Sequence, residues 1–154
     1  MRSLVFGGGD AVTDIPDEWV STVEDNGNVV INPPDQDVAF LWLSAVSWEM
    51  PPGSGFSPAE FILQKAESRT DARIERYADC VVFCFVEERI QDGHHLDVHH
   101  LQIAPMRATD GFCVTACLTL SVLQSARGSE FVRHILDTTW SIAKRVTFTY
   151  ERVA

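Results

Sequence analysis

The chain has 154 residues, of which 45% are hydrophobic, and its formal net charge is −10. This length and composition predict one globular domain with a single core and exclude wholesale disorder. The acidic excess and the lack of an apolar run long enough for a membrane span argue against nucleic acid, anionic membranes and membrane insertion.

The first third of the chain predicts a lead-in, a hairpin and a strongly apolar strand. The segment GGGD at residues 7–10 lacks the Lys-Ser/Thr of a phosphate-binding loop, so we interpret it as a mobile lead-in. The dipeptide NG at residues 26–27 separates β-rich residues 19–23 from 29–31, which predicts a hairpin. Residues 38–48 are apolar at nearly every position, as in a strand covered on both faces. The N-terminus does not have the composition of a secretory signal, so we expect a cytoplasmic protein.

The middle of the chain predicts a helix that begins at a capping box. Ser57 can cap the helix, Pro58 suits its first position, and Glu60 can complete the box. We expect this helix to end near Arg69.

Three β-rich segments follow, at residues 73–90, 94–105 and 112–123. The turn signals between them, DG at 92–93 and TDG at 109–111, predict an antiparallel meander.

A second amphipathic helix is expected to begin at Ser129. Its apolar side chains fall within one arc at 100° per residue, so the helix should pack on the sheet: Phe131, Val132, Ile135, Leu136, Thr139, Ile142 and Ala143. Residues 146–150 alternate again and should add a short strand or cross the surface.

This order of elements predicts a single α+β domain over residues 1–154. We expect a mainly antiparallel sheet of about six strands with two helices packed on it, in a three-layer α/β/α sandwich. The element order, the segment IPDEW at residues 15–19 and the hairpin at 26–27 resemble the PsbP-like superfamily, which includes the DcrB-type and Mog-type proteins. The resemblance implies protein binding without catalytic residues, and some bacterial members resemble adaptors for type VI secretion effectors.

Four of the five histidines lie in the stretch HHLDVHH at residues 94–100. If the turn at 92–93 has two residues, Glu88 faces Asp97, and two opposed carboxylates need a positive group between them. His95 and His99 share the strand face of Asp97, so that Glu88, His95, Asp97 and His99 form a candidate zinc, nickel or manganese site. The competing interpretation is the solvated side of a strand, because residues i and i+2 lie about 7 Å apart, which is wide for a shared ion. The apolar pattern also predicts a bulge near His99 and His100.

The cysteines form two pairs, Cys80 with Cys84 and Cys113 with Cys117. On strands, the members of each pair would lie about 13 Å apart, which is too far for a disulfide within the pair. We therefore expect four reduced and buried thiols that neither bind zinc nor act as nucleophiles.

The charge is uneven, because the first fifty residues carry nine acidic residues and one basic residue, Arg2. The candidate partner-binding residues are five of these acids and two tryptophans: Asp14, Asp17, Glu18, Glu24, Asp25, Trp48 and Trp140. The sequence thus favours a non-enzymatic, cofactor-free protein-binding domain, such as an adaptor, chaperone or immunity-type protein with a basic partner. Three alternatives stay open: a merely solvated acidic face, a metal-binding protein or metal-dependent enzyme at residues 94–100, and a carrier with an apolar pocket beneath the last helix.

Overall fold

An antiparallel sheet of seven strands forms the centre of the molecule. The computed structural model describes residues 1–34, 38–49, 51, 53, 57–106 and 112–149. Their strands are β1 Arg2–Phe6, β2 Ala11–Ile15, β3 Val20–Val23, β4 Val29–Asn32, β5 Ala39–Glu49, β6 Arg73–Arg76, β7 Cys80–Gln91, β8 His94–Pro105, β9 Phe112–Leu123 and β10 Thr147–Phe148; their helices are α1 Pro58–Glu67 and α2 Glu130–Lys144. The central sheet has the order β3-β4-β5-β9-β8-β7-β6, and a small sheet has the order β1-β2-β10.

The two faces of the central sheet bury separate apolar clusters. Side chains such as Leu101 and Leu118 pack with α2 and the small sheet on one face. Side chains such as Val81 and Phe83 pack with α1 on the other. Full burial of each such residue contributes about 1.5–3 kcal/mol. The predicted α+β class and its α/β/α layering are therefore confirmed, with a second, small sheet sharing the layer of α2.

Both helices begin at the predicted serines, and both serines cap, although a cap was predicted only for Ser57. Ser57 Oγ accepts from the backbone N–H of Glu60 at 3.3 Å, and Ser129 Oγ accepts from the backbone N–H of Val132 at 3.2 Å. Each cap satisfies a backbone donor that a helix leaves without an internal partner, typically worth about 1 kcal/mol. In the described part of the chain, no helix combines the length and apolar character that crossing a membrane requires.

The N-terminal segment is ordered structure, so the prediction of a mobile lead-in was wrong. Gly7–Gly9 form a 3-10 turn that joins β1 to β2. The N–H of Gly7 donates to the carbonyl of Gly27 at 2.9 Å, which ties this turn to the hairpin between β3 and β4. Glycine is needed at this position because Gly7 lies closer to Ala45 than any residue with a side chain could. The sequence pattern does not show this contact, because Ala45 is distant in sequence. The tail, by contrast, adds a short strand as expected, since β10 pairs with β2.

The meander has the predicted turn at residues 92–93 but no bulge, and the turn expected at 109–111 lies outside the described residues. Asp92 and Gly93 both have positive φ, 51° and 78°, as the two-residue hairpin turn requires. The β7–β8 register then continues without interruption through His99 and His100. A bulge is unnecessary because this part of the sheet is buried on both faces: Val98 is buried on one side and Leu101 on the other.

Candidate protein-binding surface

Two carboxylates face each other across the β7–β8 ladder, as the sequence predicted. Glu88 lies opposite Asp97, and the positive group between them is Arg127, in the turn after β9. Its Nε and Nη2 donate to the two oxygens of Asp97, each at 2.7 Å, and Nη2 also donates to Glu88 Oε1 at 3.1 Å. The hydrogen bonds from Arg127 hold the pKa of the buried Asp97 carboxyl below its usual value, although burial opposes this.

The four clustered histidines do not converge on one site. His94 and His95 are exposed beside the turn, whereas His99 and His100 are half-buried on opposite faces of β8. Burial lowers the pKa of both His99 and His100. These two imidazoles are therefore neutral at neutral pH.

His100 is held by an aromatic contact. Its ring stacks on Phe85 with the centroids 4.7 Å apart, and the guanidinium of Arg69 lies 4.2 Å from the centroid of the same phenyl ring. His100 Nε2 is buried without a hydrogen-bond partner among the described residues, and Glu87 Oε1 lies 3.8 Å from it. This arrangement suits a neutral packing group.

The candidate four-ligand metal site is not assembled. Among the described residues, no three His, Cys, Asp or Glu side chains lie close enough to hold a metal ion. Glu88, His95, Asp97 and His99 do share one face of the β7–β8 pair. However, the carboxylates of Glu88 and Asp97 are bound by Arg127. Arg127 thus supplies the positive charge between the two carboxylates that the metal hypothesis assigned to an ion.

The cysteines behave as packing groups. All four are free thiols; Cys80, Cys84 and Cys113 are buried and Cys117 is half-buried. Burial raises the pKa of each, to about 11 for Cys84 and Cys113. Thiols of this kind are poor nucleophiles at neutral pH, as the sequence predicted.

Four of the predicted acidic residues bracket β3. Asp17 and Glu18 precede the strand, Glu24 and Asp25 follow it, and all four are exposed. Asp17 accepts from the N-terminal ammonium at 3.1 Å. Asp14 is also exposed but belongs to β2 in the small sheet. The acidic residues are thus concentrated at the two ends of one short strand.

Beside this strand, among the described residues, part of the sheet face that carries α1 keeps exposed apolar side chains. α1 packs over β6, β7, β8 and part of β9, while three side chains of β5 on the same face are exposed: Phe40 by 40%, Trp42 by 38% and Val46 by 59%. Val20 of β3 is also on this face and is 61% exposed. We call Val20, Phe40, Trp42 and Val46 the open face. The prediction that residues 38–48 are covered on both faces was therefore wrong, because a ten-residue helix, about 15 Å long, spans only part of the sheet.

The open face and the acidic ends of β3 are joined by a hydrogen bond. The indole Nε1 of Trp42 donates to Glu24 Oε1 at 2.8 Å. An exposed aromatic ring and a carboxylate are thus fixed next to each other, a combination that can contact both the apolar stem and the charged head of a lysine or arginine.

Of the two predicted partner-binding tryptophans, only Trp140 has a described side chain, and it does not extend this surface. The side chain of Trp48 lies outside the described residues. Trp140 is half-buried on α2, where the guanidinium of Arg73 lies 4.0 Å from its ring centroid. Arg73 belongs to β6, at the opposite edge of the central sheet from β3.

A cleft of about 280 Å³ lies beside Trp140 and α2. Its lining includes Arg133, Asp137 and His99 in addition to apolar groups. Charged groups of both signs distinguish it from the apolar pocket expected beneath this helix, so the cleft does not support the carrier hypothesis.

Two groups of residues at this candidate site were not identified from the sequence. Arg127 had a usable signal, because the opposed carboxylates required a cation from elsewhere in the chain. Phe40 and Val46 had none, since an exposed apolar residue in a strand has the same sequence pattern as a buried one.

No family model matches the chain, and no curated protein matches it. Among solved structures, it is similar to a Bacteroides thetaiotaomicron VPI-5482 protein with a TM-score of 0.66 and 12% identity, over 97% of this chain and 49% of that one. The chain thus spans about half the length of that protein. It is also similar to Mycobacterium tuberculosis LpqN, involved in cell envelope biogenesis, with a TM-score of 0.60 and 14% identity, over 96% of this chain and 91% of LpqN.

These two similarities show a shared fold. The matches also include the PsbP protein CyanoP from Synechocystis sp. PCC 6803, with 13% identity over 96% of this chain and 92% of CyanoP. Its TM-score is 0.38, so the fold argument depends on the first two structures.

Proposed function

We propose that this chain is a non-enzymatic protein-binding domain that receives its partner on the open face, beside the acidic ends of β3. The observation that carries the proposal is the exposure of Phe40, Trp42 and Val46 along one face of β5. Because alternate residues of a strand are neighbours on one face, Phe40 and Trp42 lie side by side. Val46 lies further along the same stripe, beyond the half-buried Ser44. Soluble domains rarely expose such stripes unless they bind something, and tryptophan is enriched where partners bind.

The charge beside the open face supports a partner with basic residues. Asp17, Glu18, Glu24 and Asp25 are exposed around β3, and the chain as a whole carries a net charge of −10. Acidic groups at the rim of an apolar patch accelerate association with a basic partner and repel acidic ones.

The potentially reactive groups support a binding role over catalysis. The Asp97 and Glu88 carboxylates are engaged by Arg127, and the raised pKa values of Cys84 and Cys113 disfavour thiolates. LpqN, which has the same fold, is involved in cell envelope biogenesis. An adaptor, chaperone or immunity-type protein, including one linked to type VI secretion, would use such a surface.

The test compares one variant of the open face with one matched control. Val46→Glu replaces an exposed apolar residue of the stripe with an acid, whereas Ile90→Glu makes the same change at a residue of β7 that is 67% exposed on the other sheet face. Proteins recovered from host lysate on the unaltered chain are purified and titrated against all three forms by calorimetry. The expected result is at least about tenfold weaker binding to Val46→Glu and unchanged binding to Ile90→Glu. Equal binding to all three forms, or no partner that binds the purified chain, would refute the proposal.

A further inference from the structure

We infer that the partner adds an extended segment to the central sheet as a strand alongside β3, with basic residues at both ends of that segment. The inference depends on the proposed protein-binding function and specifies its mode. It is carried by the exposed edge of β3, by the direction of that strand's backbone groups and by the acidic residues that bracket it.

The edge formed by β3 lacks the protection that sheet edges usually have. In the described part of the chain, β3 has one neighbour, β4. Its sequence, VSTV, has no charged residue and no proline, and Val20 and Val23 are 61% and 64% exposed. The opposite edge, β6, reads RIER and is charged at three of four positions. Charges on an edge strand discourage pairing with other chains, so the two edges differ in their capacity to accept a strand.

The hairpin geometry shows which backbone groups of β3 point outward. The N–H of Glu24 donates to the carbonyl of Asn28 at 2.8 Å. Hydrogen-bonded pairs alternate along an antiparallel ladder, so Thr22 and Val20 direct their N–H and C=O groups towards β4. Ser21 and Val23 therefore direct theirs towards the open edge, and no described residue hydrogen-bonds these groups there.

The acidic residues select among possible strands. A second copy of this chain paired through β3 would bring Asp17 and Glu18, or Glu24 and Asp25, against acidic residues of its partner in either strand direction. Like charges opposite each other destabilise strand pairing. A segment with lysine or arginine at both ends would instead meet opposite charge at both ends, so a basic partner is favoured over self-association.

Strand addition also joins the edge to the open face. Val20 and Thr22 lie on the same side of the sheet as Trp42, since the β3–β4 and β4–β5 registers place them there. Alternate side chains of an added strand would extend over this side and cover Val20. The backbone groups of β3 would then supply affinity, while the open face and the acidic ends supply selectivity.

The test uses a defined peptide, acetyl-KKVTVTKK-amide, and the full chain labelled for NMR. Binding should protect the amide protons of Ser21 and Val23 from hydrogen exchange and leave those of Val20 and Thr22, which are already bonded to β4, little changed. Replacing the four lysines of the peptide with glutamates, or N-methylating its four central residues, should each weaken binding at least about tenfold.

A variant of the chain provides a second measurement. Ser21→Pro removes an N–H that points to solvent, a position where edge strands tolerate proline, so the fold should persist while peptide binding is lost. Three results would overturn the inference: no binding at about 1 mM peptide, equal binding of the N-methylated peptide, or concentration-dependent protection of Ser21 and Val23 without peptide. If Val46→Glu weakens binding of the native partner but Ser21→Pro does not, strand addition is wrong and the proposed function stands. If Ser21→Pro weakens binding but Val46→Glu does not, the proposed binding at the open face is wrong and strand addition at β3 stands.

Discussion

The guanidinium of Arg127 binds both carboxylate oxygens of Asp97 at 2.7 Å across a separation of 30 residues in sequence. This contact fastens the turn before α2 to the first third of β8. Gln124, in the same turn, donates to the carbonyl of Leu96 at 3.3 Å. The stretch HHLDVHH thus contributes an anchoring carboxylate to the fold, with histidines on either side of it.

Removing Arg127 should destabilise the fold. In Arg127→Ala the largely buried Asp97 loses its hydrogen-bond donors and again faces Glu88 directly, so the melting temperature should fall by several degrees. Arg133→Ala, which removes an exposed arginine from α2, is the matched control. If the Asp97 contact is responsible, Arg127→Ala should lower the free energy of unfolding much less in an Asp97→Asn background than in the unaltered chain. A double-mutant cycle measures this difference. Equal costs in both backgrounds would contradict it.

Stability should fall as the pH drops from about 7 towards 5. The pKa values of His99 and His100 are lowered from 6.5 by burial, so the unfolded chain takes up protons in this range that the folded chain does not. The two histidines therefore make their full contribution to the free energy of unfolding above pH 6.5. This contribution is lost as the pH falls towards their pKa values in the folded state. His100→Phe keeps an aromatic ring against Phe85 without a titrating group, and urea unfolding of this variant should show a smaller loss between the two pH values. An unchanged loss would exclude a contribution from His100.

Gly7 should tolerate substitution much less well than its neighbour. Gly7 and Gly8 have similar positive φ values, 65° and 68°, but only at Gly7 would a Cβ collide with Ala45; at Gly8 it meets no described heavy atom within 4 Å. Gly8→Ala should therefore cost about 1–2 kcal/mol from backbone strain alone. Gly7→Ala should cost about 1–3 kcal/mol more, because the collision is added. Equal free energies of unfolding for the two variants would show that the turn does not pack on β5 as described.

Zinc should leave the protein unaffected. Because Arg127 occupies the carboxylates of Glu88 and Asp97, a tenfold molar excess of zinc should change the melting temperature by less than about 1 °C. A saturable increase with one zinc per chain, abolished in His99→Ala, would instead restore the metal-binding hypothesis. The untagged chain must be used, since an affinity tag binds zinc itself.

The local elements were predictable because their causes lie within a few residues of each other. Ser57 and Ser129 cap their helices through residues three positions away. The two-residue turn at 92–93 places Glu88 opposite Asp97. Even the need for a cation between these two carboxylates could be stated in advance. The sequence did not show which residue supplies this cation. Arg127 reaches the two carboxylates only because β9 runs back alongside β8.

The sequence by itself determined the α+β class, both helix starts, the meander and the register of its β7–β8 pair, since these depend on periodicity and on turn and cap chemistry. Only the tertiary structure decided which side chains remain exposed. An apolar strand residue has the same pattern whether a helix covers it or not, so the exposure of Phe40, Trp42 and Val46 depends on where the short α1 comes to rest. The unpaired edge of β3 has the same origin, because strand order in a sheet is a property of the whole chain.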